Sequence, residues 1–354
     1  MAFILEKELP PIEEILKRFP VLPEHDIESR RTGIHKVLCG EDRRLLVVEG
    51  PCSFLPTKAG LEHTRIMAKI QEEVADALLL VERVYSQKPR TRGGWPGILT
   101  HPDPLDPNGD AELGEFETRR AMFEAAKILP IADEMLNPTN VNEFADLLSY
   151  IAVGARTVES DPHRIAASGL DAAVGMKNSR DGNSLPAVDA VCVAQQPGKL
   201  VSWGRKQLRA TGNPYAHVIL RGGVDAHDKV VANWGIKEVD HTSNLLRKAE
   251  VKNPSIVIDA SHDNARDPET GKKTLDRQKV VLRSLAELIE KSPHEYALVR
   301  GVMIENYMIG GNQPISPDMR MDGLSITDPC LSLEDSKIAI YALAEASRRR
   351  MRKL

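Results

Sequence analysis

LLVVEGPC, residues 45–52, runs four aliphatic residues into a charge, a Gly-Pro break and a cysteine. The run has no polar alternation, so a strand made from it must be covered on both faces. Seven more runs of this type follow: LLLVERVYS (78–86), ILPIADEML (128–136), YIAVGART (150–157), AAVGMKN (172–178), HVILRGG (217–223), SIVIDASH (255–262) and LVRGVMIEN (298–306). Most precede a segment of helical period, such as residues 57–76, TLDRQKVVLRSLAELIEKS (274–292) or LEDSKIAIYALAEASRRRMRKL (333–354). Apolar strands alternating with helices predict an α/β fold with a parallel sheet under helices. Eight such units predict a closed (β/α)8 TIM barrel.

Three segments lie outside the eight units. Residues 1–44 contain PPIEEILKRFP and SRRTGIHKVLCG, which predict an N-terminal extension of about two helices available for oligomer contacts. The catalytic barrel is then assigned to residues 45–354. Residues 90–118, with HPDPLDPNGD, read as a long loop of a length usually kept for function. Residues 188–214 read as a β-ribbon inserted between strands five and six.

The chain has 354 residues, 42% apolar and 28% charged, with a formal charge of −4. That balance is globular and argues against a general nucleic-acid binder. The basic tail SRRRMRKL fits the last turn of a helix, where the macrodipole favours cations. No apolar run approaches the roughly 20 residues of a membrane span, and MAFILEKELPP is too weakly apolar for a signal peptide. Four scattered cysteines suit free thiols in a reducing cytoplasm.

Each apolar run ends in chemistry: Cys52, Arg83, Glu134, Arg156, Lys177, Arg221, His262 and Glu305. In a closed barrel these residues would ring the C-terminal face, where barrel enzymes hold their active sites. Arg83, Lys88, Arg90, Arg156, Lys177 and Arg221 form a cationic set suited to phosphate and carboxylate groups, unless each pairs with a nearby acid. Cys52, His262, Glu305 and Asp328 (in SITDPC) form a second set that could hold a divalent transition metal, Mn, Fe, Co or Zn. Taken singly, Cys52 also reads as a small buried hydrophobe and His262 as a hydrogen-bonded strand end.

At these residues the chain resembles type I 3-deoxy-D-arabino-heptulosonate 7-phosphate (DAHP) synthases. The shared motifs are GPCS (50–53), RVYSQKPRT (83–91), GARTVES (154–160), VGMKN (174–178), ILRGG (219–223), IDASH (258–262), GVMIEN (301–306), GNQ (311–313) and SITDPC (325–330). The resemblance implies a transferase that condenses phosphoenolpyruvate with erythrose 4-phosphate at the first step of the shikimate pathway. It implies that Arg83, Lys88, Arg156, Lys177 and Arg221, framed by Glu134 and Ala155, bind phosphoenolpyruvate. Lys88, Pro89, Arg90, Thr91 and Asp328 are implied for erythrose 4-phosphate. Cys52, His262, Glu305 and Asp328 are implied for the metal, with Lys88, His262 and Cys52 catalytic, in a homodimer or homotetramer.

The chain departs from the family at PTNVNEF (138–144), in the ribbon sequence QQPGKLVSWGRKQLRATGNP, in the short arm before LPP, and at Arg92. In regulated members the first three regions build the aromatic amino-acid inhibitor site and part of the subunit interface. No inhibitor is therefore assigned. The alternatives are a related phosphoenolpyruvate synthase using another aldose phosphate, a Schiff-base aldolase using Lys177, and a degenerate regulatory protein. The last should have lost charged site residues, and the motifs keep them.

Overall fold

The computed structural model describes residues 4–90, 93–139, 141–201 and 206–353. Its centre is a closed barrel of eight parallel strands. They are β1 (Leu45–Gly50), β2 (Leu78–Arg83), β3 (Ile131–Glu134), β4 (Tyr150–Val153), β5 (Ala173–Lys177), β6 (His217–Leu220), β7 (Ile256–Asp259) and β8 (Val299–Glu305). Each strand pairs with its sequence neighbours, and β1 closes the ring against β8 with Gly50 opposite Glu305. All eight predicted apolar runs therefore form barrel strands.

Side chains alternate across a strand with a period of two, which sorts each run into two faces. Leu46, Val48, Val81, Ala132, Ala152, Ala173, Ile219, Val257 and Met303 form the barrel interior. Leu45, Val47, Leu78, Leu80, Ile131, Ile151, Val174, Val218, Ile256 and Val302 belong to the layer packed under the helices. Gly175 lets the interior close: a Cβ there would sit 2.4 Å from Ile219 Cδ1 and 2.5 Å from the Tyr150 hydroxyl.

The N-terminal segment holds α1 (Ile12–Arg18) and α2 (Ile27–Cys39). Ile34, Val37 and Leu38 of α2 pack into the interior cluster, and His35 stacks on Tyr215 with ring centroids 3.6 Å apart. Helix α2 thus plugs the N-terminal end of the barrel and leaves the other end for function. Helix α3 (Thr57–Val74) packs against β2. The helices Leu275–Lys291 and Leu333–Met351 start at Thr274 and Ser332, whose side chains cap Arg277 N and Asp335 N at 3.1 Å.

Two predicted boundaries move. The loop predicted over 90–118 gives way to α4 (Ala111–Ile128), because Asp110 caps Leu113 N and an apolar periodic run follows. Residues 188–194 of the predicted ribbon belong to the helix Leu185–Ala194, whose small apolar residues pack on the barrel. The ribbon itself is the antiparallel pair Gly198–Val201 and Gln207–Ala210, between β5 and β6 as expected. The basic tail is engaged within the fold: Arg348 pairs with Asp76 at 2.7 Å, and buried Arg350 donates to the Val299 carbonyl at 2.9 Å. Among the described residues no helix is long and apolar enough to cross a membrane.

Candidate active site

The interior column continues past its aliphatic layers into charge. Two residues beyond Val81, Ala132, Ile219, Val257 and Met303 stand Arg83, Glu134, Arg221, Asp259 and Glu305. Two beyond Gly175 stands Lys177. The same period that builds the core therefore aims these groups into the C-terminal mouth. At the end of β1, Gly50 has φ +134°, and a Cβ there would lie 2.8 Å from Glu82 Oε1 and 3.0 Å from Arg83 N. Only glycine fits, and it turns the chain so that Cys52 reaches the mouth.

Tyr85 forms a platform beneath the cations. The Arg83 guanidinium lies 3.9 Å from its ring centroid, Lys88 Nζ 5.7 Å and Lys177 Nζ 5.8 Å. Such contacts stabilise cations on an apolar face. Arg83 is fully buried and pairs with Glu305 at 2.7 Å, yet its Nη1 has no hydrogen-bond partner among the described residues. Lys177 pairs with Glu134 at 3.2 Å and Arg221 with Asp263 at 2.5 Å. Burial alone would raise Glu134, but Lys177, Lys88 and His262 hold it below the usual carboxylate range. Arg156 lies near Arg180 and Arg221, which together with burial lower its pKa. Both readings of the cations thus hold in part: several have acidic partners, while positive charge still crowds one rim.

Directly against these cations stands a set of metal-type donors. Ligand atoms of Cys52, Glu305 and Asp328 lie within 4.8 Å of one another. His262 falls outside that tight trio, but its Nε2 stands 3.7 Å from Glu305 Oε1 while Nδ1 faces Asp259 Oδ2 at 2.6 Å. At 2.6 Å the two atoms touch without hydrogen-bond alignment, so Asp259 backs the ring by contact while Nε2 faces the donor cluster. Burial lowers the His262 pKa, which favours the neutral ring that a metal requires. Lys88 Nζ donates to Cys52 Sγ at 3.0 Å and to the Cys52 carbonyl at 2.5 Å. Burial, then Glu305, raise the Cys52 thiol, while Lys88 opposes them. Asp328 pairs with Lys273 at 2.5 Å; burial would raise it, yet Lys273 holds it well below the usual range. One thiolate, one imidazole and two carboxylates fit a divalent transition metal without selecting one.

The other predicted positions spread around this centre. Ala155 is half-buried after β4, and Gly154 beside it leaves room for Glu134: a Cβ there would lie 2.4 Å from Glu134 Oε1. Pro89 is half-buried, and exposed Arg90 donates from Nε to the Trp95 carbonyl at 2.7 Å. Thr91 and Arg92 lie outside the described residues. Sequence reading missed Tyr85, Arg180, Asp259 and Asp263, although RVY, KNSRD and IDASHD place each beside a chosen residue. It also missed the polar braces. Asn178 Oδ1 accepts from Arg221 N at 2.7 Å, Ser261 Oγ accepts from Glu305 N at 2.7 Å, and Ser53 and Thr327 hydroxyls meet at 3.0 Å.

Residues 19–340 match the family described as the DAHP synthetase I family. The chain is 36% identical over 338 residues to the Tyr-sensitive phospho-2-dehydro-3-deoxyheptonate aldolase of Escherichia coli, covering 93% of this chain and 90% of that one. It is 36% identical over 352 residues to the Phe-sensitive enzyme of the same organism, covering 97% and 96%. The solved structure of a phospho-2-dehydro-3-deoxyheptonate aldolase from Francisella tularensis superposes with a TM-score of 0.91 at 34% identity, covering 99% of both chains. With a matching sequence, a matching barrel and the charged mouth at its C-terminal end, this chain belongs to the DAHP synthetase I family.

Proposed function

We propose that this chain carries out its family's reaction, joining phosphoenolpyruvate to erythrose 4-phosphate with water, to give DAHP and phosphate. The observation that carries this reading is the contact of two sets in one mouth: cations around Tyr85, and directly against them Cys52, Glu305, Asp328 and His262. Two phosphorylated substrates need the first set and an aldehyde undergoing attack needs the second.

Carbon 3 of phosphoenolpyruvate attacks the aldehyde carbon while water adds at carbon 2. Arg83, Lys177 and Arg221, with Arg156, Lys88, Glu134 and Ala155 around them, bind the phosphate and carboxylate of phosphoenolpyruvate. The partnerless Nη1 of Arg83 is a buried donor awaiting an anion. Lys88, Pro89, Arg90 and Thr91, with Asp328, hold erythrose 4-phosphate. Holding two mutually repelling anions together is a proximity effect on the order of 7 kcal/mol or more. Cys52, His262, Glu305 and Asp328 would hold a divalent metal, which when bound polarises the aldehyde and stabilises the developing alkoxide. Lys88 would deliver a proton to that alkoxide: although burial opposes it, Cys52 and Glu305 raise its pKa and keep the ammonium form.

Residues 1–44 serve as an extension for subunit contacts in a dimer or tetramer, a reading supported by exposed Ile4 and Leu5. Light scattering of the chain with and without residues 1–11 tests it. Four free thiols fit a reducing cytoplasm. Phosphate release from phosphoenolpyruvate and erythrose 4-phosphate, after chelation and metal add-back, tests the reaction. Full activity in chelator would remove the metal, and preference for arabinose 5-phosphate would replace the second substrate.

A further inference from the structure

A second charged cluster lies on the outer face of β1 and β2. Glu49 and Glu82 are register partners, both fully buried, and His63 of α3 sits over them with no exposure. His63 Nδ1 stands 3.0 Å from Glu82 Oε1 and 3.3 Å from Oε2. Asn306, one residue beyond β8, completes the group. Its Nδ2 donates to Glu49 Oε2 at 2.9 Å and to His63 Nε2 at 3.3 Å. Ligand atoms of Glu49, His63 and Glu82 lie within 4.8 Å of one another, a spacing that a cation could also use.

Proton placement decides between a cation and a hydrogen-bonded clamp. Gly50 N–H can only donate, and it donates to Asn306 Oδ1 at 2.6 Å. The amide is thereby fixed, with its nitrogen facing Glu49 and His63. His63 Nε2 must then accept, so Nδ1 carries the ring proton and donates to Glu82. Both ring nitrogens are committed and neither offers a lone pair to a metal. Two facing carboxylates beside a neutral ring still need one positive charge, and a proton on Glu49 supplies it. Burial pushes up both carboxyls, Glu49 to about 8 and Glu82 well above its usual range, so the pair holds a proton at neutral pH; because Glu82 accepts from His63 Nδ1, that proton is assigned to Glu49.

We propose that Asn306 is a positioning residue for the metal centre, its amide locked by Glu49 and His63 so that it fastens the Gly50 turn to the end of β8. The fastening is double, because Asn306 N also donates to the Gly50 carbonyl at 3.1 Å. Cys52 lies two residues past Gly50 and Glu305 immediately precedes Asn306. The clamp therefore sets the separation of a thiolate and a carboxylate in the mouth without touching either substrate. This role rests on the proposed metal ligands.

The test is metal affinity, measured on full-length metal-free protein by competing Mn or Zn against a chelating dye. Wild type should bind one ion per chain, and that ion should be lost in Cys52→Ala. Asn306→Ala should bind about 10- to 100-fold more weakly, the usual loss when support behind a metal ligand is removed. Its KM for phosphoenolpyruvate at saturating metal should stay within about threefold, since no substrate contact is removed. Glu49→Gln should keep affinity within about threefold, because an amide reproduces the protonated carboxyl. If Asn306→Ala does not fold, Glu49→Leu removes the acceptor that locks the amide and should also weaken binding. Wild-type affinity in Asn306→Ala, or in Glu49→Leu where that variant stands in, would overturn the role, as would two ions in wild type with one lost in Glu49→Gln. An ion that survives Cys52→Ala would instead overturn the metal ligands themselves, and this role with them.

Discussion

Two buried charge clusters lie back to back across β1 and β2, and they solve the same problem in opposite ways. On the inner face Arg83, Lys177 and Lys88 surround Tyr85, and Arg83 keeps a donor without a partner. On the outer face Glu49, Glu82, His63 and Asn306 bond to one another under α3. Desolvating a charge is costly unless something compensates it. The inner cluster opens at the barrel mouth, so its compensation can arrive as anionic substrates. The outer cluster is sealed, so it must compensate itself with hydrogen bonds and a proton, and even so Glu49 Oε1 keeps no hydrogen-bond partner among the described residues. The contrast separates a mouth open to anions from a sealed cluster.

The largest expected effect lies on the inner face. Cys52→Ala or Glu305→Ala should reduce turnover about a thousandfold or more, read as phosphate release at saturating metal. Near-normal turnover would remove the thiol or the carboxylate from the reaction. Arg83→Met comes next. It should lower kcat/KM for phosphoenolpyruvate by about a hundredfold and, by leaving Glu305 unpaired, destabilise the fold by about 3–5 kcal/mol in denaturant titration. An unchanged kcat/KM would mean that the inner cations compensate only their own acids.

The outer face gives a smaller, pH-dependent effect. The folded-state pKa of Glu49 is raised from 4.5 to about 8. Its protonated form therefore contributes stability that is fully present below about 4.5 and is lost as pH rises through about 8. Denaturant midpoints of wild type should fall across that window, and those of Glu49→Gln should fall less. Parallel curves would place the proton elsewhere. The smallest effect is expected at exposed Arg90, where Arg90→Ala should raise KM for erythrose 4-phosphate about tenfold with little change in stability. An unchanged KM would confine the anion site to the buried cations.

Much of the inner face was legible because β2, β3, β5 and β8 end directly in Arg83, Glu134, Lys177 and Glu305. The outer cluster was legible in principle. Glu49 and Glu82 are charges at outward positions of otherwise apolar strands, and register pairs them. Their partners gave no such sign. His63 lies within an ordinary amphipathic helix, and Asn306 reads as one more polar strand end. The helix boundaries at Ala111 and within residues 188–194 depended on a cap and on small apolar packing residues, which local polarity obscures.

By itself the sequence determined the eight-strand barrel, the end at which charged residues gather and the family, because apolar runs, period-two alternation and motif order are properties of the chain alone. Tertiary structure decided what pairs with what. It placed Glu305 against Arg83, and Asn306 between Gly50 and His63. These partners are 222, 256 and 243 residues apart. Where a buried charge finds its compensation is set by distance in space, and closing the barrel is what creates that distance.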